Sequence, residues 1–419
     1  MTVEAELLAA ILADPDDDAP RLVYADWLSE RGDPRGAQIV AACELARMDR
    51  RDPRYRATAA QAHADTPPIP VDALPRGATA ARPRRGFYTE LQLDIEALPA
   101  LRGYLDRQPV ERIVLSIGHK TQLRELRRTT LGRVRELALK LSFLLEPSRT
   151  LERCAPMLSE IRTLEIDAPG IDDRALATLL AHAPELRALV IRGGGATGRS
   201  ARTIVDGAPN LERLELRGYT LDQLAPFAEL PHRRDLTASY VRGHDARELD
   251  ALFGPLDRIA LIGARDPLAE RIAAAARSLT SLRLAHDVGD RGLAAAARIA
   301  GLRALAIDGG AGAPGGAALL DSATFANLYD LALDSRIDDA LTEQLVTDPR
   351  AAGLRTLRLS SALTDRGARV LAESPYLDDL EELHVRYNAL ITPAGCAALT
   401  ARFGDRVHLP LVEPRTEMY

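Results

Sequence analysis

One short phrase recurs along most of this chain and limits what it can fold into: an apolar residue, two variable ones, an apolar residue, one variable, an apolar residue. It reads "VERIVLSI" from Val110, "VRELALKL" from Val134, "IRTLEI" from Ile161, "LRALVI" from Leu186 and "LERLEL" from Leu211. It returns as "LDRIAL" from Leu256, "LTSLRL" from Leu279, "LRALAI" from Leu302, "LYDLAL" from Leu328, "LRTLRL" from Leu354 and "LEELHV" from Leu380. The central apolar residue marks each copy: Ile113, Leu137, Leu164, Leu189, Leu214, Ile259, Leu282, Leu305, Leu331, Leu357 and Leu383. Leu236 in "RRDLTAS" fills the one double-length gap, while Leu91 and Leu409 extend the series at its two ends. Successive markers then lie roughly 22 to 27 residues apart, a spacing that belongs to stacked repeat arrays.

The last two apolar positions of the phrase alternate with period two, so each copy is a short strand with both of them facing inward. Between the strands lie helical stretches such as "IDDRALATLLAHAP" from Ile171, "DPLAERIAAAARS" from Asp266 and "LTDRGARVLAESP" from Leu363. A strand and a helix at fixed period cannot bury an apolar face alone, so neighbouring copies must stack. The predicted fold class is α/β: a curved solenoid with a parallel sheet on its concave side and helices on its convex side. Aromatic residues make up only 4% of the 419 residues, so its core must be built from Leu, Ile, Val and Ala.

The segment "LTDRGARVLAESPYLDDLEELHVRYNALITPAGCAAL", from Leu363 to Leu399, resembles the ribonuclease-inhibitor-like class of leucine-rich repeats almost throughout. The resemblance implies an asparagine after each strand to satisfy backbone groups at the turn. Only Asn388 occupies that position; Ser142, Gly194, Tyr219, Asp287 and Ala362 stand at the equivalent ones. Their turns are expected to be satisfied by backbone or water, giving a less regular solenoid.

Residues 1–65 stand apart as a small all-α domain. Leu7, Leu8, Ile11 and Leu12 share one helical face, and a second helix, N-capped by Asp16 or Asp17 with Pro20 in its first turn, carries Leu22, Val23, Tyr24, Trp27 and Leu28. Pro34 opens a third helix. The run "EAELLAAILADPDDDAPRLVYADWLSERGDPRGAQIV" resembles the short bacterial repeat-companion domain found at the N-terminus of repeat proteins, a family that brings no assigned activity. Trp27 and Tyr24, set among apolar residues, are predicted to pack in the core. Arg21, Asp26, Glu30, Arg31 and Arg35 form either an internal ion-pair network or a charged docking face. Residues 66–86, with "TPPIPVDALPRGATAARPRR" from Thr66, read as a Pro-rich linker into the solenoid of residues 87–419.

Net charge of −6 with interspersed signs argues against a nucleic-acid or membrane-surface binder. Cys43, Cys154 and Cys396 show neither disulfide nor zinc-site spacing. The N-terminus lacks the basic region of a secretory signal, and no segment reaches the roughly 20 apolar residues of a membrane span. A cytoplasmic protein is the expectation. "GGGATGRS" from Gly193 nearly fits a phosphate loop, but Arg199 stands where the lysine is needed, so it reads as a strand-to-helix turn. The acidic run Asp16–Asp18 reads as a helix start. With no catalytic set, metal-ligand spacing or cofactor motif, no enzymatic activity, cofactor or metal is expected. The concave face is the default site of a solenoid. Arg192, Arg213, Glu215, Arg217, Arg358, Glu382, His384 and Arg386 are its candidate contacts for a protein or peptide partner, with the small residues Ala260, Ala304, Ala306 and Ala332 between them. The alternative is a regulator of a partner enzyme, such as a GTPase activator of the ribonuclease-inhibitor-like type. A second alternative is an enzyme with its site at the junction of the helical domain and the first repeats, which would need a deep pocket with converging polar groups.

Overall fold

The computed structural model describes residues 2–14, 17–50, 52–63, 74, 76–106, 108–118, 126, 131–143, 145–193, 198–239 and 249–410. The chain divides into two compact units, Met1–Gly218 with Leu230–His232, and Tyr219–Glu229 with Arg233–Tyr419. Among the described residues no helix is long and apolar enough to cross a membrane.

The first unit opens with α1 (Val3–Ala13), α2 (Ala19–Ser29), α3 (Arg35–Arg47) and α4 (Tyr55–Ala62). Thr2 caps α1 by accepting from the Ala5 amide. Ahead of α2, Asp17 accepts from the Ala19 amide, while Asp16 lies outside the described residues. Asp18, buried at the N-cap, makes no cap bond; its carboxylate instead pairs with Arg47 at 2.7 Å and Arg85 at 3.1 Å. Part of the acidic run is therefore a tertiary ion pair as well as a helix start. The apolar faces meet in a core of Ile11, Tyr24, Ala25, Leu28, Ile39 and Cys43, and Phe87 from the first repeat joins it. Trp27 flanks this core half-buried. It stacks on Tyr24 at 5.8 Å, with the Arg31 guanidinium 4.0 Å from its ring centre. The charged set divides: Arg21 is fully buried and Arg35 pairs with Asp33, whereas Asp26, Glu30 and Arg31 are exposed.

Residues 66–73 and 75 lie outside the described residues, but the end of the segment read as a linker is structured. β1 (Ala78–Arg84) pairs antiparallel with β2 (Phe87–Asp94). Arg85 and Gly86 both take positive φ, 50° and 82°, as a two-residue hairpin turn requires. Pro83 is tolerated because β1 is an edge strand. A Cβ on Gly86 would sit 2.1 Å from Ile39 Cγ1, so the turn is wedged against α3. Further ties hold the helical module to the repeats: Arg21 pairs with Glu111 at 3.6 Å, and Arg133 donates to the Leu12 carbonyl at the C-terminal end of α1, where a cation is favoured.

Beyond β2 the strands are parallel and follow chain order: β3 (Arg112–Ile117), β4 (Glu136–Leu141), β5 (Thr163–Asp167), β6 (Ala188–Arg192) and β7 (Arg213–Arg217). α5 (Leu98–Leu105), α6 (Pro147–Cys154), α7 (Asp173–Ala181) and α8 (Gly198–Gly207) lie between them. The marker residues stand side by side in register, Leu91–Ile113–Leu137–Leu164–Leu189–Leu214, with a second buried row from Leu93 to Leu216. Each such leucine contributes about 1.5–3 kcal/mol of burial, and a one-residue slip would turn the whole row outward.

The second unit repeats the scheme. Its elements are α9 (Leu221–Leu224), β8 (Asp235–Ser239), α10 (Asp250–Phe253), β9 (Arg258–Arg265), α11 (Asp266–Ala275), β10 (Ser281–Val288) and α12 (Asp290–Ala296). They continue with β11 (Ala304–Gly309), α13 (Ala313–Leu320), β12 (Asp330–Ile337), α14 (Asp339–Thr347), β13 (Thr356–Ser361), α15 (Asp365–Glu373), β14 (Glu382–His384), α16 (Pro393–Phe403) and β15 (Val407–His408). Leu236, Ile259, Leu282, Leu305, Leu331, Leu357 and Leu383 form its inward row. The last copy is corrected: Val407, not Leu409, pairs with Leu383, so His408 stands beside His384.

Backbone bonds hold part of the turns, as expected, with the Ser142 amide donating to the Ile117 carbonyl, and side chains hold others. Asn388, fully buried, donates to the carbonyls of Leu359 (2.8 Å) and Val385 (3.1 Å) and accepts from the Leu363 amide (3.0 Å). Elsewhere in this unit the aspartates at four helix starts, those of α11, α12, α14 and α15, reach the start of the following repeat's helix. Asp266 accepts from the amides of Gly289 and Gly292, Asp290 from those of Gly312 and Gly315, Asp339 from Thr364 and Asp365 from Thr392. The glycine in the receiving turn makes room: a Cβ on Gly395 would lie 2.4 Å from Asp365 Oδ1. An aspartate ladder thus does part of the work of the missing asparagines.

Candidate functional site

On a strand, residues alternating with the buried rows point to the opposite face, away from the helices. In the first unit this open face carries Glu90, Arg112, Glu136, Glu165, Arg192 and Glu215. Arg112 reaches Glu90 (3.3 Å), Glu136 (3.3 Å) and Glu165 (2.7 Å). Arg192 then joins Glu165 (2.5 Å) to Glu215 (3.2 Å). Glu90 and Glu165 are nearly buried, 4% and 6% exposed, and carboxylates so placed need cationic partners. Burial opposes the charge on Arg112, yet the carboxylates of Glu165 and Glu136 outweigh it and raise the guanidinium pKa. Of the residues named from sequence, Arg192 and Glu215 are therefore members of an internal network. Arg213 and Arg217 are exposed, and neither guanidinium has an ion-pair partner among the described residues.

The residue one step before each strand forms a rim along the same unit. Glu111, Arg135, Arg162, Arg187 and Glu212 are linked in series, each amide donating to the preceding residue's carbonyl. Strand spacing puts neighbouring rim residues about 4.8 Å apart. Together with Leu12, Ala13 and Asp14 at the end of α1, and with Arg133 and Arg213, they line a groove of about 540 Å³. Arg135 pairs with Glu160, Arg187 with Glu212 and Glu111 with Arg21. Arg162, exposed at the centre, has no ion-pair partner among the described residues. A junction pocket with converging polar groups thus exists. Among the described residues its lining sets Arg133, Arg135, Arg162, Arg187 and Arg213 against Asp14, Glu111, Glu136 and Glu212, and the three glutamates are engaged with arginines.

In the second unit the open face is milder. Arg283, Ala306, Ala332, Arg358, His384 and His408 stand side by side from β10 to β15. Sequence reasoning named Arg358, Glu382, His384 and Arg386 but missed His408. The His384 and His408 rings stack at 4.2 Å with 8° between planes. Glu382 lies 3.0 Å from His384 Nε2, and Arg386 approaches His408 Nδ1 at 3.3 Å. Burial, then His384 and Arg386, pushes the His408 pKa below the ordinary histidine value. The signal that could have placed His408 on the open face is its position between the apolar residues Val407 and Leu409.

Other sequence candidates resolve simply. Residues 194–197 of the glycine-rich stretch lie outside the described residues, and Ser200 in α8 binds the Asp173 carboxylate of the preceding repeat. Cys43, Cys154 and Cys396 are free and buried, and burial raises the thiol pKa to about 11 at Cys43 and about 12 at Cys154.

No protein-family model matches the chain, and no curated protein matches it. Among solved structures, the chain is similar to one from the yeast Rad7 and Elc1 complex, at 16% identity and a TM-score of 0.52, covering 76% of this chain and 83% of that one. An internalin of Listeria monocytogenes aligns at 17% identity and a TM-score of 0.35, covering 73% and 75%. At such identity the first likeness speaks to fold alone, and the fold is the α/β leucine-rich-repeat solenoid with a helical region at its N-terminus.

Proposed function

We propose that this protein is a non-enzymatic interaction scaffold that holds an acidic segment of a protein partner along the rim and open face of its first unit. The observation that supports this reading is the charge left over there. Arg112 and Arg192 are neutralised internally, whereas exposed Arg162, Arg213 and Arg217 have no ion-pair partner among the described residues. Arginine is a preferred residue at interface hot spots. Arg162 and Arg213 stand two strands apart, about 10 Å, and Arg217 lies four residues along β7 from Arg213, a spread that carboxylates along an extended chain can span. On this reading residues 1–65 are a repeat-companion domain docked through Phe87, Arg21 and Arg133. Three free thiols go with a reducing, cytoplasmic setting, and the resemblance of the helical domain with a bacterial origin.

The test compares the native protein with Arg162→Glu/Arg213→Glu/Arg217→Glu, using a fluorescent glutamate-rich peptide and cross-linked capture from the source organism. Arg174→Glu, an exposed position on α7 paired with Glu152, is the control. The triple variant should lose peptide binding and the captured partner, with affinity in the native protein falling as salt rises. If the triple variant keeps both while folded, the proposal is wrong.

A further inference from the structure

The far end of the open face in the second unit brings together three donors that nothing in the repeat scheme requires. Glu382 and His384 stand two residues apart on β14 and so share a face, and His408 lies beside His384 in the β14–β15 register. One ligand atom from each of the three falls within 4.8 Å of the others. Glu382 is exposed and His384 and His408 are half-buried, so the cluster opens to solvent. We infer that Glu382, His384 and His408 form a binding site for a transition-metal dication of the Zn²⁺ type.

Two imidazoles and one carboxylate suit Zn²⁺, Co²⁺, Ni²⁺ or Cu²⁺ and not Mg²⁺ or Ca²⁺, which take oxygen sets. An ion about 2.0–2.2 Å from each donor needs the donors about 3.3 Å apart in a tetrahedral site. Glu382 already lies 3.0 Å from His384 Nε2, and since no separation exceeds 4.8 Å, each of the others closes by no more than about 1.5 Å, a change within reach of side-chain rotation on an open face. Three protein ligands leave a coordination position for water or a donor from a partner. Two cations compete with the ion. Arg386 donates to His408 Nδ1 at 3.3 Å, and Arg358 stands next to His384 across the β13–β14 pair. Arg386 is exposed and free to turn aside, and until it does its positive charge beside His408 opposes the ion.

The experiment titrates the full chain with Co²⁺, read by its visible ligand-field bands, and with Zn²⁺ by calorimetry. One equivalent should bind saturably. His384→Ala and His408→Ala should each abolish the Co²⁺ bands, and Glu382→Gln should weaken binding at least tenfold. Arg386→Ala should tighten it about three- to tenfold, by removing a unit charge next to the ion. Because Glu382 and Arg386 are exposed, their variants keep the test valid should a histidine variant fail to fold. The inference is overturned if the native chain shows no saturable binding. It is also overturned if the His384→Ala/His408→Ala double variant binds the native equivalent, or if Arg386→Ala binds no more tightly.

Discussion

Asn388 offers the sharpest test of how these repeats are joined. Replacing it by alanine removes the bonds to the Leu359 and Val385 carbonyls and to the Leu363 amide, all inside the protein. At about 1 kcal/mol net for each, the loss is about 3 kcal/mol, since water cannot reach the groups left behind. Val385 O keeps a bond from the Asn388 amide, so the damage centres on Leu359 and Leu363, in the repeat before Asn388. Asn388→Asp should be at least as harmful, because it buries a charge and turns an oxygen toward two carbonyls. Repeat arrays open locally, so the natural assay is native-state hydrogen exchange read by mass spectrometry. At 1.4 kcal/mol per tenfold, amides in β13, β14 and the turns beside them should exchange about 100-fold faster in Asn388→Ala, while β3 to β6 stay unchanged. Exchange around Leu359 and Leu363 that stays within threefold of the native rate would refute the idea that this side chain staples the two repeats.

Arg112→Met strips the common partner from Glu90, Glu136 and Glu165, and urea unfolding should show a loss near 3 kcal/mol, since two of those carboxylates are almost buried. Gly395→Ala drives a methyl to 2.4 Å from Asp365 Oδ1 and should cost about 1–3 kcal/mol, whereas Gly310→Ala, with nothing within 4 Å of its Cβ position, should be near neutral by the same measurement. Burial lifts the Cys154 thiol from 9.0 to about 12, so its thiolate is about 1,000-fold scarcer at pH 8 and native Cys154 should resist iodoacetamide until urea unfolds the chain. The same shift makes the folded state lose stability as pH rises through the unfolded thiol value near 9, because only the unfolded chain then releases the proton.

The repeat period, the strands and their buried rows were legible because burial is written locally, as alternation that any strand must show. The hairpin strand β1 was not: "ATAARPRR" has no apolar alternation, and its pairing comes from β2 and from a turn wedged on Ile39. The open-face residues were legible as exposed positions but not as partners. Nothing near Arg192 in sequence announces Glu165 and Glu215, each one repeat away. Aspartates at helix starts look like ordinary caps and dipole partners, and only the stacking of repeats brings Asp266, Asp290, Asp339 and Asp365 onto the next turn.

The last repeat shows where the division falls. Val407 and Leu409 are both apolar and two residues apart, so either can face inward without changing the pattern. Period-two alternation determines which face a residue takes and is blind to a slip of two. Tertiary pairing with Leu383 chose Val407, and that choice alone set His408 against His384. The sequence by itself determined a stacked α/β repeat with a helical module ahead of it. Which charges neutralise one another, which arginines remain for a partner and which histidines meet were decided by register and stacking, because they depend on distances between residues one repeat apart.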